Sequence, residues 1–525
     1  MIAAAFARFA EWVQTRADFI SRWCDSHRLL VFALFSAIHI PALVLVAGGT
    51  QFWFDELFTY YLARLPDAAA IQAELTNAVD HHPLPFFLIH RFVAPWFADP
   101  HVGFRIPSIA GFWMFYAAVF VFVSRRTSAV FGLLAIFLAY ASGARYWATE
   151  ARPYGLSFGL CALAVLCWQM AADTRKRFLW LLGLALTLAA TISISFYSVL
   201  VFAPLAAAEL VRTIRRGSVD LPIWASLAAG AAGCLPYVIT VKHHLDSFNP
   251  NNWARPRPGV IPETYATFFS ILHLFALGVL MALALLWIFR RWAAPLRDAA
   301  GDKPVLSEDL ALGLGHLLLP VIGAAVALFA TKMITPRYVL STVTGLCILL
   351  PVVAFGLARG RAVVGITLMA LGGFFFAQSS ADTIGAALKT RIGDTSDLTG
   401  LLHRVPAGVD AGLPVVSDNA LRLLPLSHYG GPDLAARLVL LTDPDAALRH
   451  SGVYYTGRGL FLMQPYAPLR VAAYADFRKH NPRFLYFESP SLMAYLTPVL
   501  QADRARMRFL GKIGANALYL VDGFE

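Results

Sequence analysis

Two adjacent carboxylates, Asp55 and Glu56, stand in the stretch QFWFDELFTYY (51–61), crowded by Phe52, Trp53, Phe54, Phe58 and Tyr60. A carboxylate in such a place can be a general base, a metal ligand or a helix N-cap. Aromatic neighbours exclude water and tend to raise a carboxyl pKa. A second group is DHHPLPFF (80–87), where Pro83 and Pro85 bias His82 and Leu84 towards extended geometry. His81 and His82 suit phosphate binding, proton sharing or metal ligation. Consecutive histidines point different ways on most backbones, which argues against a two-histidine chelate. The third group, ARYWATEARPYGL (144–156), holds Arg145, Glu150, Arg152 and Tyr154. The planar fork of Arg152 fits a phosphate, and Glu150 either orients that arginine or supplies a second acid. The last is TPRYVL (335–340), with Arg337 and Tyr338, three residues after Lys332.

These residues need elements to hold them, and the composition says which kind. The chain has 525 residues, of which 58% are hydrophobic and 14% charged. A soluble chain of this length needs a more charged surface. Apolar runs long enough to span a bilayer recur, and about eleven helices are expected. They are placed at 29–48, 106–123, 127–142, 155–172, 178–193, 196–211, 221–241, 267–289, 308–331, 338–357 and 362–379. The fold class is a polytopic α-helical membrane protein. Residues 1–28 mix aromatics with Arg8, Arg16, Arg22 and Arg28 and read as an interfacial amphipathic helix.

The net charge of +11 does not call for nucleic acid. Basic clusters at the N-terminus, 125–126, 175–177, 212–216, 290–297 and 359–361 all fall on one side if the helices alternate, which makes the N-terminus cytoplasmic. Loop 49–105 and everything after 380 are then outside, which places the chain in the cytoplasmic (inner) membrane as a multi-pass protein. Arg145, Arg152, Lys242, Arg255, Arg257, Lys332 and Arg337 fall outside as well, against the trend, and together suggest an outward-facing anion site. From 380 to 525 the short apolar runs LPVVSDN, LVLLTDPD and RFLYFESP alternate with helical stretches such as SLMAYLTPVLQADRARM, as in a largely parallel α/β domain.

The order of these motifs carries a resemblance. FDE in the first outside loop, then D-H-x-P, FRIPS (104–108), EARPY and TPRY resemble the GT-C membrane glycosyltransferases over residues 28–345. The branch is the family-39-type bacterial one, which includes protein O-mannosyltransferases, galacturonosyltransferase-like enzymes and the aminoarabinose–lipid A transferase. The resemblance implies about eleven transmembrane helices in a GT-C domain (29–379) carrying an extracytoplasmic α/β domain (380–525). It implies a polyprenyl-phosphate sugar as donor and an envelope glycan, lipid or protein as acceptor. Asp55 matches the family's catalytic acid, with Glu56 beside it and Glu150 where related enzymes keep a second acid. Arg152-Pro153-Tyr154 and Arg337-Tyr338 match the branch's motifs. Arg152 and Arg337, with His82 or Lys332, would bind the donor phosphate, and His81, Tyr154 and Tyr338 would line the substrate site. Some enzymes of this superfamily use a divalent cation, which Asp55, Glu56 and Glu150 could hold. The chain has His82 where the aminoarabinose branch has a lysine, which weakens that sugar as a choice. A flippase would place its charges near the midplane on broken helices, and a lipid-binding assembly protein would not need the acids.

Overall fold

A computed structural model describes residues 2–174, 176–247, 250–270, 305–389, 395–410, 412–455 and 457–525. Helix α1 (Ile2–Ser26) turns Phe9, Trp12, Phe19 and Trp23 outward and packs beside the helix Ala362–Lys389. Helix α2 (Arg28–Gly49) exposes Leu29, Leu34, Ile38 and Leu45 while burying Phe35, His39 and Leu43. An apolar face left bare on a satisfied helical backbone is what a lipid-facing span requires.

Among the described residues, six helices are long and apolar enough to cross a membrane, and two bent pairs bring the number to eight. Two more apolar helices, Phe178–Ile194 and Thr342–Leu357, are shorter. These ten fall on ten of the expected spans; most of the eleventh, 267–289, lies outside the described residues, as do Arg290, Arg291 and Arg297. The expected span 308–331 is broken, with Ser307–Leu317 meeting Leu319–Thr331 at 50°, and the chain also bends sharply where the span 127–142 ends. Helix α7 (Ala129–Ala141) meets a 3-10 segment, Gly143–Thr149, at 78°. Gly143 lets the bent segment lie against the Thr267 backbone, because a Cβ there would lie 1.9 Å from the Thr267 carbonyl oxygen.

The segment after α2 builds one end of the bundle. It folds as α3 (Phe54–Ala63), α4 (Ala68–Thr76) and α5 (Leu84–Val93) before α6 (Pro100–Arg126) enters the bundle. Asp67 caps α4 by accepting from the Ala70 amide at 2.8 Å. In α5, Phe86 and Phe87 are buried, while Phe92 in its last turn and Trp96 just beyond it turn outward, as an interfacial segment would. Helix α8 (Pro153–Asp173) crosses α6 where both are small: a Cβ on Gly111 would lie 2.2 Å from the Gly155 carbonyl oxygen. At the far end of α6, Arg125 and Arg126 pair with Asp173 of α8.

The C-terminal domain is a six-stranded sheet with order β3-β2-β1-β4-β6-β5. Strands β1 (Val415–Ser417), β2 (Leu438–Thr442), β3 (Arg470–Ala473) and β4 (Arg483–Glu488) are parallel. Strands β5 (Ala505–Ile513) and β6 (Asn516–Phe524) close one edge as an antiparallel hairpin. The helix expected across 491–507 is confined to Leu496–Ala502. The chain reverses at Arg504, where φ is +53°, and Ala505, Met507 and Phe509 then alternate as strand residues do. The apolar core of this domain runs without a break into that of α3 to α5, joining Leu423, Leu438 and Leu485 to Phe52, Leu57 and Phe87.

Candidate active site

Neighbours in sequence, Asp55 and Glu56 point to different sides of α3, since successive helical residues are about 100° apart. Glu56 was expected beside Asp55 as a site acid and a cation ligand. It is instead sealed in the interior, 1% exposed against Arg105 at 2%. Oε1 accepts from Arg105 Nε at 2.7 Å and the Ala151 amide at 2.7 Å; Oε2 accepts from Arg105 Nη2 at 2.6 Å and the Trp53 amide at 3.1 Å. The last of these closes the N-terminus of α3, half of a capping box. Arg105 also donates to the carbonyls of Ala47, Thr50 and Gln51. One ion pair therefore ties together the end of α2, the start of α3, α6 and the segment before α8. Arg105 lies in the FRIPS motif, but its partner lies 49 residues away and no local spacing announces it.

Asp55 faces a cavity of about 510 Å³. Its Oδ2 accepts from Arg337 Nη1 at 2.7 Å. The Arg337 guanidinium is caged by Tyr154 and Trp253, each with its ring centroid at 5.3 Å, and by Tyr338 at 5.9 Å. Such a cage holds a cation by its ring faces. Arg337 Nε is buried without a hydrogen-bond partner, and so is Arg152 Nε.

Arg152 is the residue before Pro153, which opens α8. The sequence offered Glu150 as its partner, but Arg152 pairs with Asp80, Nη1 to Oδ2 at 2.8 Å. It also donates to the Asp55 carbonyl at 3.1 Å and to Thr59. Burial, the largest single influence, would raise the Asp80 carboxyl, but the charge and hydrogen bond of Arg152 together with His82 and His81 outweigh it and hold Asp80 well below the usual carboxylate range. His82 is pushed down to about 3, chiefly by burial. It is a neutral imidazole that can hydrogen-bond to a phosphate but brings no charge to it.

His81, His82, Tyr154 and Tyr338 line the same cavity. Lys332, expected as a phosphate ligand, does not. Its side chain is exposed, its backbone is left-handed at φ +56°, and its carbonyl accepts from Asn252 Nδ2 at 3.1 Å. Glu150 is also outside the lining. It is 4% exposed, neither carboxylate oxygen has a hydrogen-bond partner, and burial, reinforced by the charges of Glu56 and Asp55 and opposed by Arg337 and Arg152, raises it to about 8. Asp55, Glu56 and Glu150 thus do not converge on one point. Among the described residues no cluster of three or more His, Cys, Asp or Glu could hold a metal. The three acids therefore do not form the expected cation site: Glu56 has spent its acceptor capacity on Arg105, Ala151 and Trp53.

The cavity includes residues that the motif reading did not assign: Asp80, Asn252, Trp253, Tyr454, Tyr455 and Arg458. Asp80 lay inside a quoted motif; the last three come from the C-terminal domain, whose contact with the site no local pattern reveals. A smaller side chamber of about 80 Å³ shares His81, His82, Met333 and Tyr338 with it and continues along Phe196, Val241 and Leu245.

This architecture, a helical bundle of apolar spans bearing an α/β sheet domain over a charged cavity, is a GT-C fold. Two solved structures of ArnT from Cupriavidus metallidurans share it. The apo form matches with a TM-score of 0.57 and 10% identity, over 94% of this chain and 98% of that one. The form bound to undecaprenyl phosphate matches with a TM-score of 0.54 and 12% identity, over 94% and 97%. At such identities the likeness is one of fold. No family model matches the sequence, and no curated protein matches it.

Proposed function

We propose that the chain is an inverting glycosyltransferase that moves a sugar from a polyprenyl-phosphate donor to a hydroxyl of an envelope acceptor, at the outer face of the cytoplasmic membrane. The carrying observation is the Asp55–Arg337 pair in a cavity that opens into an apolar side chamber. ArnT binding undecaprenyl phosphate on the same fold supports the donor class. The lipid tail runs along Phe196, Val241 and Leu245, with its phosphate at Arg337 and Arg152. Their buried, unpartnered Nε groups are donors waiting for an acceptor. The N-terminus is cytoplasmic in this reading and the sheet domain lies outside.

In the reaction the anomeric carbon–oxygen bond breaks and its electron pair leaves with the phosphate. The acceptor oxygen bonds to the anomeric carbon from the opposite face, and its proton passes to Asp55. Arg337 and Arg152 stabilise the charge growing on the phosphate. Phosphate leaves well without a strong acid, so one carboxylate suffices. Asp55→Asn should fold and insert normally and lose turnover by about 10²–10⁴-fold. Release of radiolabelled sugar from a panel of undecaprenyl-phosphate sugars, incubated with purified protein and envelope extract, measures it. Near-normal turnover in that variant would remove Asp55 as the base.

A further inference from the structure

One wall of the cavity comes from no spanning helix. Tyr454, Tyr455 and the Gly457–Arg458–Gly459 turn, which opens the short helix Arg458–Met463, reach it from the C-terminal domain. The turn is wedged in place. A Cβ on Gly459 would lie 3.0 Å from the Val79 carbonyl oxygen and 3.3 Å from Phe58 Cε1. Gly457 takes φ +62°, and a Cβ there would lie 2.6 Å from Thr442 Cγ2. Backbone fit on both sides fixes where Arg458 emerges, and its side chain is exposed. Docking is reinforced nearby, where the Tyr454 amide donates to the Asn251 carbonyl at 2.9 Å.

Charge points the same way. The cavity lining carries three guanidinium groups (Arg152, Arg337, Arg458) and two carboxylates (Asp55, Asp80), a surplus of one positive charge. Arg337 and Arg152 belong to the bundle, as does the apolar side chamber. A lipid-borne donor approaches from there. The wall supplied by the C-terminal domain faces whatever arrives from the aqueous side. Tyrosine rings offer a flat apolar face with a hydroxyl at the edge, and an arginine fork matches a carboxylate or phosphate.

We propose that Arg458, flanked by Tyr454 and Tyr455, forms an acceptor subsite that selects a carbohydrate bearing an anionic group, carboxylate or phosphate. This deepens the transfer reaction proposed above and rests on it, because the donor must occupy the bundle side. The test uses the full-length protein in lipid nanodiscs and four probes: digalacturonate, chitobiose phosphate, neutral chitobiose and undecaprenyl phosphate. Wild type should bind the two charged disaccharides about tenfold tighter than chitobiose. Arg458→Ala should erase that preference while undecaprenyl phosphate affinity stays within about twofold of wild type. Arg458→Lys, which keeps the charge without the fork, should restore part of it. A preference for only one charged disaccharide also supports the subsite and names its anion. No preference in wild type, an unchanged preference in Arg458→Ala, or an equal loss of undecaprenyl phosphate binding overturns it. Wild type that binds no undecaprenyl phosphate yet keeps an Arg458-dependent preference sustains the subsite and defeats the donor reading.

Discussion

Glu56 and Arg105 bury opposite charges in the same place, and this is tolerable because both carboxylate oxygens and all three guanidinium nitrogens have partners. Removing one member leaves the other charge stranded, at about 3–5 kcal/mol. Arg105→Met should therefore aggregate on mild heating, followed by fluorescence-detected size exclusion, and adding Glu56→Leu should recover much of the loss. Recovery would show that the loss comes from the stranded Glu56 charge; no recovery would mean that Arg105 acts mainly through the carbonyls of Ala47, Thr50 and Gln51. Glu150 makes a prediction of the opposite kind. Its carboxyl rises from 4.5 to about 8, so the folded protein holds a proton that the unfolded chain gives up. Its contribution is intact below pH 4.5 and is lost progressively as pH climbs through about 8. Glu150→Gln should then raise thermal resistance at pH 8 and leave it unchanged at pH 4. An equal effect at both pH values would mean that the carboxyl is not protonated in the fold. At this scale the sequence spoke clearly for Asp55, His81, His82, Arg152, Tyr154, Arg337 and Tyr338, which line one cavity. It pointed Arg152 to the nearby Glu150 rather than to its actual partner, because Asp80 and Arg152 meet across 72 residues.

The element that fixes Arg152 is α8, and α8 is fixed by its crossing with α6. The backbones touch there. A Cβ on Gly159 would lie 2.1 Å from the Gly111 carbonyl oxygen, and one on Gly155 would lie 2.8 Å from Ser108 Cβ. Small residues at a crossing are how membrane helices gain close packing. Ser108 also donates to the Arg152 carbonyl at 3.0 Å, so the crossing and the site share a residue. Gly111→Ala should cost about 1–3 kcal/mol through overpacking, seen as a lower heating midpoint of the purified protein. A midpoint equal to wild type would show that the helices can part there without loss. Apolar runs in the sequence placed the spans well, because a bilayer leaves few alternatives for such segments. The bend at Gly143 and the end of the helix near Ala502 were harder to see. Both depend on local backbone geometry, a close approach in one case and a positive φ at Arg504 in the other.

Across the whole molecule, the sheet domain and the helices α3 to α5 share one apolar core. Polar contacts accompany it: Tyr429 accepts from the Phe52 amide at 2.7 Å and meets His101 Nε2 at 2.9 Å, and Tyr61 meets His428 at 2.7 Å. Limited proteolysis of the native protein should not release a stable C-terminal fragment, because cutting the link would leave that core exposed on both pieces. A protease-resistant, monodisperse fragment spanning 396–525 would refute the shared core. The sequence separated this region by its composition and its strands, yet gave no hint of its docking, since apolar strand residues look alike whichever surface they cover.

The approach of Gly459 to Val79 sets a rule for anyone recombining such proteins. With 3.0 Å between a would-be methyl group and a carbonyl oxygen, the two backbones fit as a matched pair. A chimaera that takes its sheet domain from another source must import the 78–82 segment with it, or the graft will sit proud of the cavity and leave the site open on one side.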